Sequence, residues 1–145
     1  MTALLALLLG LQAAGCSGPA DDANEPNDRV EEATVLIAGA EVEGAFSPPR
    51  DSRNDTDIFR LDIDGEGPTA VVVTLSGGQT QETMLQMGII TPDGPERIMW
   101  PVWQREETTG TQVLRGTVGG PSTLIVVLQG TKGIYTLSAL ATVAE

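Results

Sequence analysis

The apolar residues of this 145-residue chain come in short runs, and each run ends at a cluster of glycine, proline or polar residues. No run keeps the 3.6-residue period of an amphipathic helix over three turns. Phe59, Leu61 and Ile63 instead alternate with charged residues, which is the pattern of a strand with one buried and one solvent-exposed face. The chain is therefore predicted to be all-β.

Similar reasoning along the chain predicts about eight strands, with turn signals such as Gly119-Gly120-Pro121 between them. The run Val71-Val72-Val73 indicates a strand that is covered on both faces. Short strands at regular intervals are typical of an antiparallel β-sandwich of the jelly-roll kind. The expected strands are residues 34–37, 41–46, 59–63, 69–76, 84–91, 111–118, 122–129 and 133–142.

The N-terminus carries an apolar run, residues 3–11, that fits the core of a signal peptide and is too short to span a bilayer core of about 30 Å. Small residues then precede the only cysteine, Cys16. This arrangement resembles the lipobox of bacterial lipoproteins, which implies a signal peptide over residues 1–15 and a lipid on Cys16. An ordinary secretory signal or a buried hydrophobic helix is the alternative.

Residues 16–24 are small and polar, and they bury too little apolar surface to fold by themselves. This segment is predicted to be a flexible tether between the lipid and the domain. The residue after the cysteine is Ser17. By the resemblance to lipoproteins, a serine at this position implies sorting to the outer membrane.

The charge and composition exclude several classes of function. Twenty acidic and eight basic residues give a formal net charge of −12, so nucleic acid is not an expected partner, since its phosphates are bound by lysine and arginine. The chain has no histidine, which removes the commonest general base and the commonest ligand of transition metals. No serine has a candidate base either. The remaining donors are oxygens, which suit a hard cation such as calcium.

Four short motifs follow one another along residues 24–143 and carry a second resemblance. They are Glu25-Pro26-Asn27-Asp28, Asp55-Thr56-Asp57-Ile58-Phe59, Thr91-Pro92-Asp93-Gly94 and Gly133-Ile134-Tyr135-Thr136-Leu137. In this order they resemble the bacterial pre-peptidase C-terminal domain, a β-sandwich attached to secreted proteases and other exported proteins. The resemblance implies one such domain over residues 25–145.

The collagen-binding domains of clostridial collagenases are similar and bind calcium through the same N-terminal segment. On the matching positions, this resemblance implies a structural calcium ion. The alternative is a local turn at Asn27 and Asp28 beside two aspartates that merely precede a strand. Asp55 and Asp57 are two residues apart, so both are expected on the side of the strand that carries Phe59. The implied ligands are Glu25, Asn27, Asp28, Asp55 and Asp57.

Two further pairs of residues have chemistry to consider. At least one of Trp100 and Trp103 is expected to pack in the core or against a loop. The alternative is that the two form an exposed platform for a sugar ring or an extended peptide. Glu106 and Glu107 resemble a glycosidase pair only in composition, because neighbours in a strand point to opposite faces. A solvated loop is expected there.

The sequence therefore predicts a non-catalytic, lipid-anchored protein of the cell envelope, on the outer membrane, that acts as a binding or accessory module. The expected partners are the membrane, through the lipid, and a protein, peptide or carbohydrate ligand. A second hypothesis is a purely structural lipoprotein that docks a partner in an envelope complex. A third is a hydrolase.

Overall fold

The computed structural model describes residues 23–46, 54–77, 82–90 and 98–143. The predicted signal peptide, Cys16, Ser17, the turn at 91–94 and most of the loop at 47–54 lie outside these residues. In the described part of the chain, no helix is long and apolar enough to cross a membrane. A 3-10 turn spans Val30–Glu32, and the strands are β1 (Thr34–Val35), β2 (Glu41–Phe46), β3 (Asp55–Ile63), β4 (Pro68–Ser76), β5 (Met84–Ile90), β6 (Gln104–Thr108), β7 (Thr111–Gly119), β8 (Ser122–Gly130) and β9 (Gly133–Val143).

The strands form two sheets, which confirms the predicted all-β sandwich. One sheet has four strands in the order β1-β3-β8-β5, and the other has five in the order β2-β9-β4-β7-β6. All neighbouring strands are antiparallel except β1 and β3, which pair in parallel. The chain leaves β1, passes through β2 in the other sheet and returns to β3, and such a crossover allows two strands to run in the same direction.

The hydrophobic core lies between the two sheets. Phe59, Leu61 and Ile63 are buried there, as their alternation predicts, and Val73 and Leu137 face them from the five-stranded sheet. The buried apolar residues of the described chain all lie between Leu36 and Ala139. A chain that begins at Ser17 therefore retains both sheets and the whole of this core.

Two expectations about individual strands are wrong. Val72 is only half-buried, because it lies on the outer face of the five-stranded sheet while Val71 and Val73 point into the core. Glu106 and Glu107 lie in β6 and not in a loop. All five residues of β6 are exposed, and the strand is held by backbone pairing with β7. A strand without a buried face has no alternation of apolar residues, so the sequence pattern did not indicate it.

Candidate functional site

The segment Asn24 to Asp28 is tied to the start of the sandwich by hydrogen bonds to both sheets. The Asn24 side chain donates to the backbone carbonyl of Glu43 in β2 at 2.9 Å, and the backbone carbonyl of Asn24 accepts from the Thr34 hydroxyl at 3.1 Å. The amide of Ile58 in β3 donates to the carbonyl of Asn27 at 2.9 Å. The first described residues are thus part of the folded domain and lie against the first long strand.

Four of the five predicted metal ligands converge at this end of the sandwich. One carboxylate oxygen from each of Glu25, Asp28, Asp55 and Asp57 lies within 4.8 Å of the corresponding oxygens of the other three. Asp57 is fully buried, Glu25 and Asp55 are half-buried, and Asp28 is exposed. The alternation of β3 explains the depth of the site, because Asp55 and Asp57 are on the inward-facing side that carries Phe59.

The fifth predicted ligand, Asn27, is fully buried. Its backbone N–H donates to the carboxylate of Glu25 at 3.2 Å. Neither polar atom of its side chain has a hydrogen-bond partner among the described residues. Burial of an amide without a partner costs about 1–3 kcal/mol, so a ligand that accepts or donates here would recover free energy.

The electrostatics of the cluster also favour a cation. Although Asp28 is exposed, loss of some of its hydration against the neighbouring residues raises its pKa, the negative charges of Asp55 and Glu32 raise the pKa further, and Arg29 lowers it. A raised pKa means that the folded protein disfavours the ionised form of Asp28. A bound cation would remove that penalty, and protons would compete with it as the pH falls through the raised pKa.

The donor set suits calcium better than other common metals. The four converging side chains are all carboxylates, and such oxygen donors are preferred by hard cations. Calcium lies 2.3–2.6 Å from its ligands, so two oxygens on opposite sides of the ion are about 5 Å apart. The spacing of 4.8 Å or less in the cluster is compatible with that limit.

Tyr135 is the functional residue that the sequence reasoning missed. Its hydroxyl donates to Oδ2 of the buried Asp57 at 2.6 Å. Its ring packs against Phe46, with centroids 4.7 Å apart, and meets the edge of Phe59. Tyr135 occupies an inward-facing position of β9. Two features of the sequence pointed to it, since it is the only tyrosine of the chain and lies in the motif Gly133-Ile134-Tyr135-Thr136-Leu137.

The opposite side of the sandwich is closed by side chains that reach from one sheet to the edge of the other. In β5 the carbonyl of Met87 accepts a hydrogen bond from the Trp103 side chain, and the carbonyl of Leu85 accepts one from Arg105. Just before the strand, the carbonyl of Thr83 accepts one from Gln112. Further along the same strand, Ile89 exchanges two backbone hydrogen bonds with Met99. These bonds use up acceptors that an edge strand otherwise offers to a further strand.

The two tryptophans have different environments. Trp103 is partly buried, and its ring lies where a side chain at Gly116 would be, so it has a packing role. Trp100 is 51% exposed. Its ring lies over Gly88, where an added Cβ would be 3.2 Å from it. Between the two rings lies a groove of about 400 Å³ that also borders Gln86 and Arg105.

The fold and the site together define a β-sandwich module with an oxygen-rich acidic site at the end where the N-terminal segment enters. Seven chains of solved structures match the fold. One is the pre-peptidase C-terminal domain of collagenase from Bacillus anthracis, with a TM-score of 0.51 and 11% sequence identity, covering 78% of this chain and 99% of that one. No protein-family profile matches the chain, and no curated protein matches it significantly. The fold implied by the sequence resemblance is therefore confirmed.

Proposed function

We propose that this protein is a non-catalytic binding or accessory module of the bacterial cell envelope, anchored in the outer membrane by a lipid on Cys16 and stabilised by calcium. The observation that carries the proposal is the acidic site itself. Four carboxylates converge there, and the buried Asn27 donates its backbone N–H to one of them, that of Glu25. The residues that hold the ion would be Glu25, Asn27, Asp28, Asp55 and Asp57.

The position of the site gives the ion a mechanical role. Glu25, Asn27 and Asp28 belong to the segment that leads to the anchor, whereas Asp55 and Asp57 belong to β3. Calcium would join the two and fix the point where the tether leaves the domain. Eight residue steps separate Cys16 from Asn24, and a fully extended chain of that length spans at most about 29 Å. This end of the sandwich would therefore stay close to the membrane.

A non-catalytic role is supported by what the polar groups already do. The carboxylate of Asp57 accepts from Tyr135, and the guanidinium of Arg105 donates to Leu85 and Gln112. The exposed Glu106 pairs with Arg115 at 3.1 Å. These groups stabilise the fold, and the chain has no histidine to act as a general base.

Calcium is expected to raise the melting temperature of the chain that begins at Ser17. With a dissociation constant of about 10⁻⁴–10⁻³ M, as in extracellular modules, a tenfold excess of calcium adds RT ln 11, or about 1.4 kcal/mol. This corresponds to a rise of roughly 3–8 °C. The measurement is thermal unfolding in EDTA and then in millimolar calcium, with magnesium as a third condition, since magnesium requires shorter and stricter octahedral contacts.

The Asp57→Asn variant is expected to lose most of this gain, because it removes the most buried carboxylate of the site. Glu107→Gln is the matched control, since it removes one carboxylate from the exposed strand β6, away from the cluster, and should keep the full response to calcium. Identical melting curves of the unmodified chain in EDTA and calcium would contradict the calcium proposal and leave the cluster as a hydrogen-bonded clasp.

Lipidation is expected at Cys16 in the full chain expressed in a bacterium with a lipoprotein pathway. The mature protein should then begin at Cys16, with residues 1–15 removed and acyl chains on the cysteine. Mass spectrometry of the N-terminal peptide measures this directly. A Cys16→Ser variant is the control and should stay unprocessed at this position. An unmodified cysteine in the mature wild-type protein, or cleavage at another position, would contradict the anchor.

A further inference from the structure

The groove beside Trp100 lies on the side of the sandwich opposite the acidic site. It is bordered by β5 and by the segment that leads into β6, whereas the N-terminal segment contacts β2 and β3. Its volume of about 400 Å³ is within the range of about 300–1,000 Å³ that is usual for small-molecule sites. A ligand in this groove would therefore not compete with a cation for the same residues.

The walls of the groove are fixed, while two of its side chains remain available to a ligand. Trp103 and Arg105 already bond to carbonyls of β5. Trp100 and Gln86 are exposed, and neither side chain has a hydrogen bond to another described residue. The groove thus presents one flat aromatic face and one neutral amide, which both donates and accepts.

The negative charge of the protein favours a neutral ligand over an anionic one. The net charge is −12, and the single cation of the groove, Arg105, is engaged by the carbonyl of Leu85 and the side chain of Gln112. An anionic ligand would meet the repulsion of this net charge, and Arg105 is held in place by two acceptors of the protein instead of being free to move toward the anion. A sugar ring fits the chemistry that remains, because its C–H face packs on an indole and its hydroxyls hydrogen-bond to an amide.

An extended peptide fits this groove less well. Peptides that add a strand to a sheet need the free carbonyls of the edge strand. In β5 the carbonyls of Leu85 and Met87 already accept from side chains, and Ile89 pairs with Met99. A proline-rich peptide would bond its carbonyls to indole N–H groups, and the N–H of Trp103 is already used.

We propose that the groove binds a neutral oligosaccharide, with Trp100 stacking on one sugar ring and Gln86 hydrogen-bonding to its hydroxyls. This inference deepens the proposed binding role and rests on it, since it names the ligand class of the module. It does not depend on the acidic site. The response to calcium and the processing at Cys16 are measured separately, so failure here is distinguishable from failure of the proposed function.

The test is titration of the chain that begins at Ser17 with cellotetraose and chitotetraose, followed by tryptophan fluorescence and by calorimetry. At least one of these probes should bind saturably at millimolar concentration or below. Trp100→Ala should weaken binding at least about tenfold, as expected for an aromatic anchor, and Gln86→Ala about two- to tenfold, as for one hydrogen bond. Val102→Ala is the control, because Val102 is fully exposed and does not border the groove, and should bind like the unmodified chain.

Two further probes complete the experiment. Tetragalacturonic acid, which is anionic, should bind more weakly than the neutral probes, and a decaproline peptide should not bind. The proposal is overturned if neither neutral tetrasaccharide binds, or if Trp100→Ala and Gln86→Ala bind like the unmodified chain in melts that show all variants folded. Binding of decaproline that depends on Trp100 would also overturn it and would assign the groove to a peptide.

Discussion

Replacing Gly44 with alanine is expected to destabilise the domain by about 2–6 kcal/mol. Gly44 lies directly opposite Tyr135 in the β2–β9 pair, and an added Cβ would overlap the ring carbon and the hydroxyl of that tyrosine. The ring is held by Phe46 and Phe59 and its hydroxyl by Asp57. Overpacking of a core costs about 1–3 kcal/mol, and the loss of the buried hydrogen bond adds about 1–3 kcal/mol.

Urea unfolding in EDTA would measure this loss of free energy, and thermal unfolding would show it as a fall in melting temperature of roughly 8–24 °C. Gly67→Ala is the matched control, because an added Cβ at Gly67 meets no atom within 4 Å. Its free energy of unfolding should stay within about 0.5 kcal/mol of the unmodified chain. If both variants lose the same free energy of unfolding, the destabilisation of Gly44→Ala does not come from a clash with Tyr135.

The sequence predicted those parts of the fold in which burial of one face requires a regular pattern of apolar residues. Phe59, Leu61 and Ile63 alternate because one face of β3 is in the core. β6 has no such pattern of apolar residues, since its five residues are all exposed and its position depends on pairing with β7. The parallel pairing of β1 with β3 was equally invisible, because it depends on the path of the chain through the other sheet and not on either strand.

The candidate site shows the same division between local and long-range information. The acidic residues were expected together because short motifs resembled a known domain, and Glu25, Asp28, Asp55 and Asp57 do converge. The contact between Asp57 and Tyr135 joins positions 78 residues apart. No spacing rule reaches that far, so the sequence placed Tyr135 on the last strand without indicating its partner.

The environments of the two tryptophans also depend on contacts that the sequence does not indicate, although the two residues are only three positions apart. Both belong to one four-residue stretch, Trp100-Pro101-Val102-Trp103, and the stretch alone left packing and ligand binding open. The structure separates them through glycines on different strands. Gly116 leaves room for the ring of Trp103 between the sheets, and Gly88 supports Trp100 on the outside of the four-stranded sheet. The sequence did not indicate which glycine would face which ring.

Tyr135→Phe is expected to lower the free energy of unfolding by about 1.5–3 kcal/mol in EDTA. The variant keeps the ring and its packing against Phe46 but removes the donor to Asp57, which is fully buried. Hydrogen bonds to charged groups contribute about 1.5–3 kcal/mol, and those between neutral groups about 0.5–1.5 kcal/mol. In the Asp57→Asn background the same substitution should therefore cost about 1 kcal/mol less.

A double-mutant cycle of Asp57→Asn and Tyr135→Phe, measured by urea unfolding, isolates this coupling from the packing of the ring. Calcium provides a second readout. An ion beside Asp57 takes over part of the charge compensation that the tyrosine hydroxyl supplies, so saturating calcium should reduce the cost of Tyr135→Phe. If the substitution costs the same in both backgrounds, the hydroxyl acts as a neutral partner only. If it costs the same with and without calcium while calcium still raises the melting temperature, the ion is held without Asp57, and the remaining ligands are Glu25, Asn27, Asp28 and Asp55.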